Sequence, residues 1–202
     1  MAKIRAMIEK NHGTSRGYIR VLLGQTEYLF GRLEPFLEIR PDRVSRLVFV
    51  CLGNINRSAF AQGVARQHGV RASSFGLSTS TGQPAFPLAI ETASRFNVDL
   101  SSHVTLDVKK YQYIKGDLLL AMEVRHARRL LDAGFPPEAV KLLGNWATPH
   151  RIHIHDPHTL SREYFCTCFT LIHSAIVNLV EQLATKNSPC ISRKINESVP
   201  HV

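Results

Sequence analysis

The chain predicts an α/β fold, a three-layer arrangement in which a four-stranded parallel sheet carries helices on both faces and follows an N-terminal helical extension. Two features of the pattern carry that expectation. From Arg46 onward, short unbroken apolar runs of the kind that fill strands buried on both faces alternate with stretches whose apolar residues recur at helical spacing. Such alternation makes each helix a crossover between parallel strands. Ahead of it, residues 1–45 carry a separate amphipathic segment without a strand signal.

Taken in order, Thr14 or Ser15 offers a helix cap, and Ile19, Leu22, Leu23, Leu29, Phe30 and Leu33 share one apolar face that ends before Pro35. The extension is therefore expected to be mainly one amphipathic helix. Its stripe fits packing on the core, on a twin in a homodimer, or, with Arg16, Arg20 and Arg32 alongside, on a membrane surface, although Glu27 and Glu34 oppose the last. Strands are expected at Leu47 to Val50, Arg71 to Phe75, Asp117 to Met122 and Ala139 to Leu142. Between them lie helices at Ser58 to His68, Pro87 to Asn97 and Val124 to Ala133, the last stopped by Gly134 and two prolines. A long final helix, Arg162 to Ala184, lines up Phe165, Phe169, Ile172, Ile176 and Leu179. Residues 46–185 thus make the domain, and the aperiodic segment 186–202 is expected to be disordered.

Composition narrows the function classes. An apolar share of 44% supports a real core, while no apolar run approaches bilayer length and the charged start lacks a leader's apolar stretch. The cysteines, at 51, 166, 168 and 190, form neither a disulfide framework nor a metal-finger spacing, which points to a reducing, cytoplasmic setting. The net charge of +9 divides as +4 over residues 1–46, +3 over 47–185 and +2 over the tail, with no basic run interleaved with aromatics, so nucleic acid is not an expected partner. His153 and His155 lack a third ligand and read as surface residues rather than a metal site. Cys166 and Cys168, two apart on a helix, point to different sides.

The chemistry concentrates in Val48 to Ser58, where a buried strand breaks into a loop and enters a helix. Ligands in open α/β sheets bind at the carboxyl ends of strands. Leu52, Gly53, Asn54, Ile55, Asn56, Arg57 and Ser58 can turn backbone N–H groups inward, and the helix start adds unpaired donors and a positive dipole end. Gly53 and Asn54 are residue types that accept positive φ, which a tight cradle demands. A thiol in that field, Cys51, favours the nucleophilic thiolate, and Arg57 supplies a planar fork for two phosphate oxygens.

These residues resemble the low-molecular-weight protein tyrosine phosphatases, whose loop reads Cys-x-Gly-Asn-x-Cys-Arg-Ser. The likeness continues through Ser74 to Leu77, Gly82 to Ala85, Ser102-His103, Leu118 to Glu123 and Asp156-Pro157. It implies hydrolysis of phosphate monoesters, protein phosphotyrosine foremost, through a cysteinyl-phosphate and without a cofactor; the substrate class is a phosphorylated protein or small phosphate ester. By resemblance Asp156 is the general acid and then base, and Asn54, Ser58, Ser74 and His103 form the hydrogen-bonded support of the loop. Asn56 stands where the family has a second cysteine, so a disulfide between neighbours is unavailable to protect Cys51. His158 and Thr159 stand where aromatics follow Asp-Pro, and the rim near Ser80 also lacks one, which weakens the grip on a phenyl phosphate. Ile55 agrees with the tyrosine-specific members. Thioredoxin-coupled arsenate reductases share the fold and loop but need two further thiols in mid-chain, and none lies between Cys51 and Cys166. A non-catalytic phosphate-binding module is the reading from another class, and no missing residue forces it.

Overall fold

The computed structural model describes residues 2–187. Helices α1 (Ala2–His12) and α2 (Ser15–Leu29) precede β1 (Arg46–Cys51), α3 (Arg57–Gln67), β2 (Ala72–Gly76), α4 (Pro87–Ser94), β3 (Asp117–Ala121), α5 (Val124–Asp132), β4 (Val140–Leu142) and α6 (Arg162–Asn187). The strands form one parallel sheet in the order β2-β1-β3-β4, with Cys51 opposite Gly76 and Val50 opposite Ala121. The strands stand within a residue or two of their expected bounds. α6 runs two residues into the segment expected to be disordered, and the rest of that tail lies outside the described residues.

Alternation along the strands builds two cores. Leu47, Phe49 and Cys51, with Leu118 and Leu120, face Phe60, Val64, Ala89, Phe165, Phe169 and Ile172 from α3, α4 and α6. Val48, Val50, Leu119, Ala121, Val140 and Leu142 face Val124, Ala127 and Leu130 of α5 on the other side. α6 is long and apolar enough by length and composition to cross a membrane, yet Phe165, Phe169, Ile172, Ile176 and Leu179 are fully buried in the first core. Its hydropathy is that of a core helix.

The extension departs from expectation in one way. It is two helices rather than one, parted at Gly13, whose φ of +75° and contact with Leu160 and Tyr164 admit no side chain. Thr14 caps α2 as expected, accepting the Gly17 N–H at 2.9 Å. The second finding concerns which face packs, where the sequence left core, twin and membrane surface open. α2 buries Gly17 and Gly24, one helical side, so closely that a Cβ on Gly17 would lie 2.6 Å from the His155 ring and one on Gly24 3.4 Å from the His153 Cβ. Ile19, Leu22, Leu23, Leu29 and Phe30 consequently point to solvent, and of the expected stripe only Leu33 is fully buried, entering the second core with Phe36.

Phe169 of α6 stacks on Phe60 of α3 at 4.0 Å between centroids, both fully buried, and joins the helical layer to itself above the sheet. Phe169→Ala is expected to lower unfolding free energy by about 3–5 kcal/mol. Guanidinium denaturation checks it, and a loss below about 1 kcal/mol would show that the layer does not rest on this stack.

Candidate active site

β1 lies inside the sheet, and its carboxyl end delivers Cys51 into the crevice beside β3, where crossovers depart to opposite faces. The loop that follows folds around its own sulfur. Cys51 Sγ accepts the Asn54 N–H at 3.2 Å and lies 3.0 Å from Ser58 Oγ. Asn54 takes φ +56°, so it supplies the left-handed turn; Gly53 is not in that region. The N–H groups of Gly53, Ile55 and Asn56 donate to no protein group among the described residues. Together with the start of α3 they form a set of free donors around the thiol.

Hydrogen bonds from four segments converge on Asn54. Asn54 Nδ2 donates to Ser58 Oγ at 2.9 Å and to Ser74 Oγ at 2.8 Å, and Asn54 Oδ1 accepts the Leu106 N–H at 2.9 Å. His103 donates from Nε2 to the Asn54 carbonyl at 2.7 Å, and burial holds its imidazole below the ordinary pKa. One residue thereby ties β2 and the segment carrying His103 to the loop's tightest bend. Gly76 permits this closeness, since a Cβ there would stand 3.1 Å from the Asn54 Cβ and 2.9 Å from the Leu52 carbonyl.

Arg57 is buried, with 1% of its area exposed, at the first position of α3. Its Nη1 donates to Glu123 Oε1 at 2.6 Å and to the Ile154 carbonyl at 2.9 Å, which fixes the guanidinium plane. The other edge, Nε and Nη2, makes no hydrogen bond, although Asp156 Oδ2 sits 2.8 Å from Nη2 as an ion pair. Burial alone would lower the Arg57 guanidinium, but the charges of Asp156 and Glu123 raise it above its ordinary value. For Glu123, burial acts upward and is overcome by Arg57, so its carboxyl stays well below the usual range.

Asp156 stands on the loop between β4 and α6, which is fastened by the Ile154 N–H to the Met122 carbonyl at 3.0 Å and by the Tyr164 hydroxyl to the His155 carbonyl at 3.2 Å. Cys51, Arg57 and Asp156 therefore meet, as do Leu52 to Ser58, Ser74 and His103. His153 and His155, expected at the surface, are buried, because α2 closes over them with its glycines. Two participants went unassigned in the sequence. Glu123 closes the family-like segment Leu118 to Glu123 but carries no role there, and His126 carries no local signal. Beside the loop, half-buried Phe86 donates its N–H to the Ile55 carbonyl at 3.0 Å and meets His158 edge-on at 4.8 Å. The Phe86 ring thus stands beside His158, next to Asp156, although no phenylalanine, tyrosine or tryptophan directly follows Asp-Pro in sequence.

A sulfur ringed by unused N–H donors and by the open edge of an anchored guanidinium holds a tetrahedral oxyanion against a nucleophile, the arrangement of a cysteine-dependent phosphatase. Comparison specifies which. The low molecular weight phosphotyrosine protein phosphatase family matches residues 46–189, and the chain belongs to that family. The low molecular weight protein-tyrosine-phosphatase Wzb of Escherichia coli K12 is 32% identical over 133 residues, covering 63% of this chain and 88% of the relative. Among solved structures, the Erwinia amylovora tyrosine phosphatase AmsI superposes with a TM-score of 0.62 at 25% identity, covering 70% of this chain and 94% of its own. The Vibrio vulnificus Wzb bound to benzylphosphonate gives 0.60 at 27% identity, covering 68% and 98%. Residues 1–45 lie outside the family match.

Burial drives His126 down to about 3 and His153 down to about 4, so both are neutral near pH 7 and their contacts of 3.7 and 3.5 Å to Glu123 are not ion pairs. An unfolded histidine titrates at about 6.5, so on acidification the unfolded chain takes up protons that the folded chain refuses. Stability is therefore complete above pH 6.5 and is lost as pH falls from there toward 4, by up to about 1.4 kcal/mol per pH unit for each histidine. Denaturant midpoints at falling pH should show this slope, flattened in His126→Asn and His153→Asn. An unchanged slope in both variants would place the titration elsewhere.

Proposed function

We propose that Cys51 attacks phosphorus directly, that Arg57 and the loop N–H groups hold the three non-bridging oxygens, and that Asp156 manages the protons. The observation that carries this reading is the Nε–Nη2 edge of Arg57, which makes no hydrogen bond and meets only the Asp156 carboxylate beside the Cys51 cradle, while Glu123 and Ile154 hold the opposite edge. Phosphate and Asp156 compete for Nη2. An arriving phosphate group takes the fork, and the displaced carboxyl turns to the leaving oxygen.

Sulfur then forms the S–P bond as the P–O ester bond breaks, and the leaving oxygen takes the proton that the Asp156 carboxylate accepted from the phosphate monoanion on leaving Arg57. In the second half Asp156, now a carboxylate, accepts a proton from water as that water attacks phosphorus, and the S–P bond breaks to release phosphate and the Cys51 thiolate. The Ser58 hydroxyl, 3.0 Å from sulfur, stabilises the thiolate at both ends of the cycle. Phosphotyrosine in proteins is the substrate this reading favours. Its support is the naming of the relatives as protein-tyrosine phosphatases, the presence of Ile55, and the Phe86–His158 pair as a wall for a phenyl ring.

Cys51→Ser is expected to abolish turnover of para-nitrophenyl phosphate while still binding inorganic phosphate, because the cradle is backbone. Arg57→Lys is expected to lose more than tenfold in kcat/KM, about 1.4 kcal/mol, as a point charge cannot replace the fork. Asp156→Asn should slow single-turnover cysteine phosphorylation by about 10²–10⁴ for basic leaving groups and far less for acidic phenols. Parallel, nearly coincident lines of rate against leaving-group pKa for wild type and variant would remove Asp156 from the role.

A further inference from the structure

We propose that the outer face of the N-terminal extension docks on an anionic lipid surface. α2 is an amphipathic helix turned outward. Ile19, Leu22, Leu23, Leu29 and Phe30 fall on one side by their spacing of three, four and seven, and they are between 47% and 79% exposed. Tyr18 borders them, and Ile4 and Met7, one turn apart on α1, are 62% and 58% exposed. The core does not need this face, because Gly17 and Gly24 make the inward contact. Elsewhere the large exposed apolar side chains are only Val104, Tyr113 and Ile114 among the described residues. A concentrated stripe of this size in water marks an interaction site.

Charge selects the occupant. Residues 1–46 hold nine basic and five acidic residues. Two of the acids nearest the stripe are neutralised within the chain, Glu9 by Arg5 and Glu27 by Arg128, each at 2.8 Å. Lys3, Arg16 and Arg32 are exposed and make no ion pair among the described residues, and the one acid beside the stripe in the same condition is Glu34, so the borders of the stripe stay cationic by three to one. A second copy seated across a two-fold axis would bring the same cationic margin against itself. A bilayer bearing acidic headgroups instead meets the apolar stripe with acyl chains and the margin with phosphate. The docked helix lies on the loop that carries His153, His155 and Asp156, which sets the catalytic crevice beside the membrane.

The full chain is to be sedimented with vesicles of phosphatidylcholine alone and of phosphatidylcholine with about a third phosphatidylglycerol, at low and at raised salt. Binding is expected to the acidic vesicles only and to weaken with salt. Leu22→Ser with Leu23→Ser, and separately Leu29→Ser with Phe30→Ser at the helix end, should each lower the partition coefficient by about tenfold or more, as should Arg16→Glu with Arg32→Glu. Para-nitrophenyl phosphate turnover should stay at the wild-type level in all three, showing that the domain is folded. Light scattering on the same proteins separates the other occupant. A dimer dispersed by the serine pairs would overturn the proposal in favour of a second copy, and a monomer that ignores acidic vesicles would overturn it outright.

Discussion

The site depends on one buried ion pair, Arg57 with Glu123. A guanidinium with 1% of its area exposed is tolerable only with its charge answered and its donors used, and Glu123 and the Ile154 carbonyl do both for one edge. The other edge is left for the ligand and for Asp156. This division makes the pair more than a fastening. Glu123 sits between β3 and α5, Ile154 belongs to the loop that carries Asp156, and Arg57 opens α3, so the pair locks the relative position of three segments that meet at the crevice. Arg125 also donates to Glu123 at 2.7 Å, which keeps this carboxylate charged without drawing Arg57 away from the cradle.

The loop around Cys51 is shaped by a second, neutral network centred on Asn54. Backbone in the left-handed region is costly for a residue with a side chain, and Asn54 offsets the cost with four hydrogen bonds from its amide, its side-chain oxygen and its carbonyl. A cradle held this way needs little reorganisation when phosphate enters. Electrostatic stabilisation is strongest where the donors already point at the place where charge will develop.

Much of this was legible in the sequence, and the failures share a cause. The strands, their order of appearance, the phosphate loop and the Asn54 support could be read because each rests on residues close in the chain or on a likeness that spans the domain. Glu123 could not, since its role exists only when β3 lies beside β1. The extension failed differently. Periodicity revealed that α2 has an apolar face, but it carries no statement of what covers that face, and a glycine in a helix gives no sequence signal that it is the contact surface, as Gly17 and Gly24 are. His153 and His155 were assigned to the surface for the same reason, because the helix that buries them is more than a hundred residues away.

The glycine face of α2 also bears on how the acid loop is held. Residues 147–161 of that loop have no regular secondary structure, so their position must come from side contacts: Ile152 and Ile154 are buried in the two cores, Tyr164 holds the His155 carbonyl, and α2 presses on the His155 ring and the His153 Cβ. Arg151 donates to the Asn11 carbonyl and Tyr28 packs on the ring of His150 at 4.7 Å, extending the same contact along the loop. In the cycle proposed above Asp156 leaves Arg57 when phosphate arrives, which requires the residues beside it to stay fixed while its side chain turns. Because His153 and His155 are buried and neutral, they fill the space between α2 and the Arg57–Glu123 pair without adding a competing charge. The extension, outside the family match, in this way backs the loop that carries Asp156 on one side and is left bare on the other.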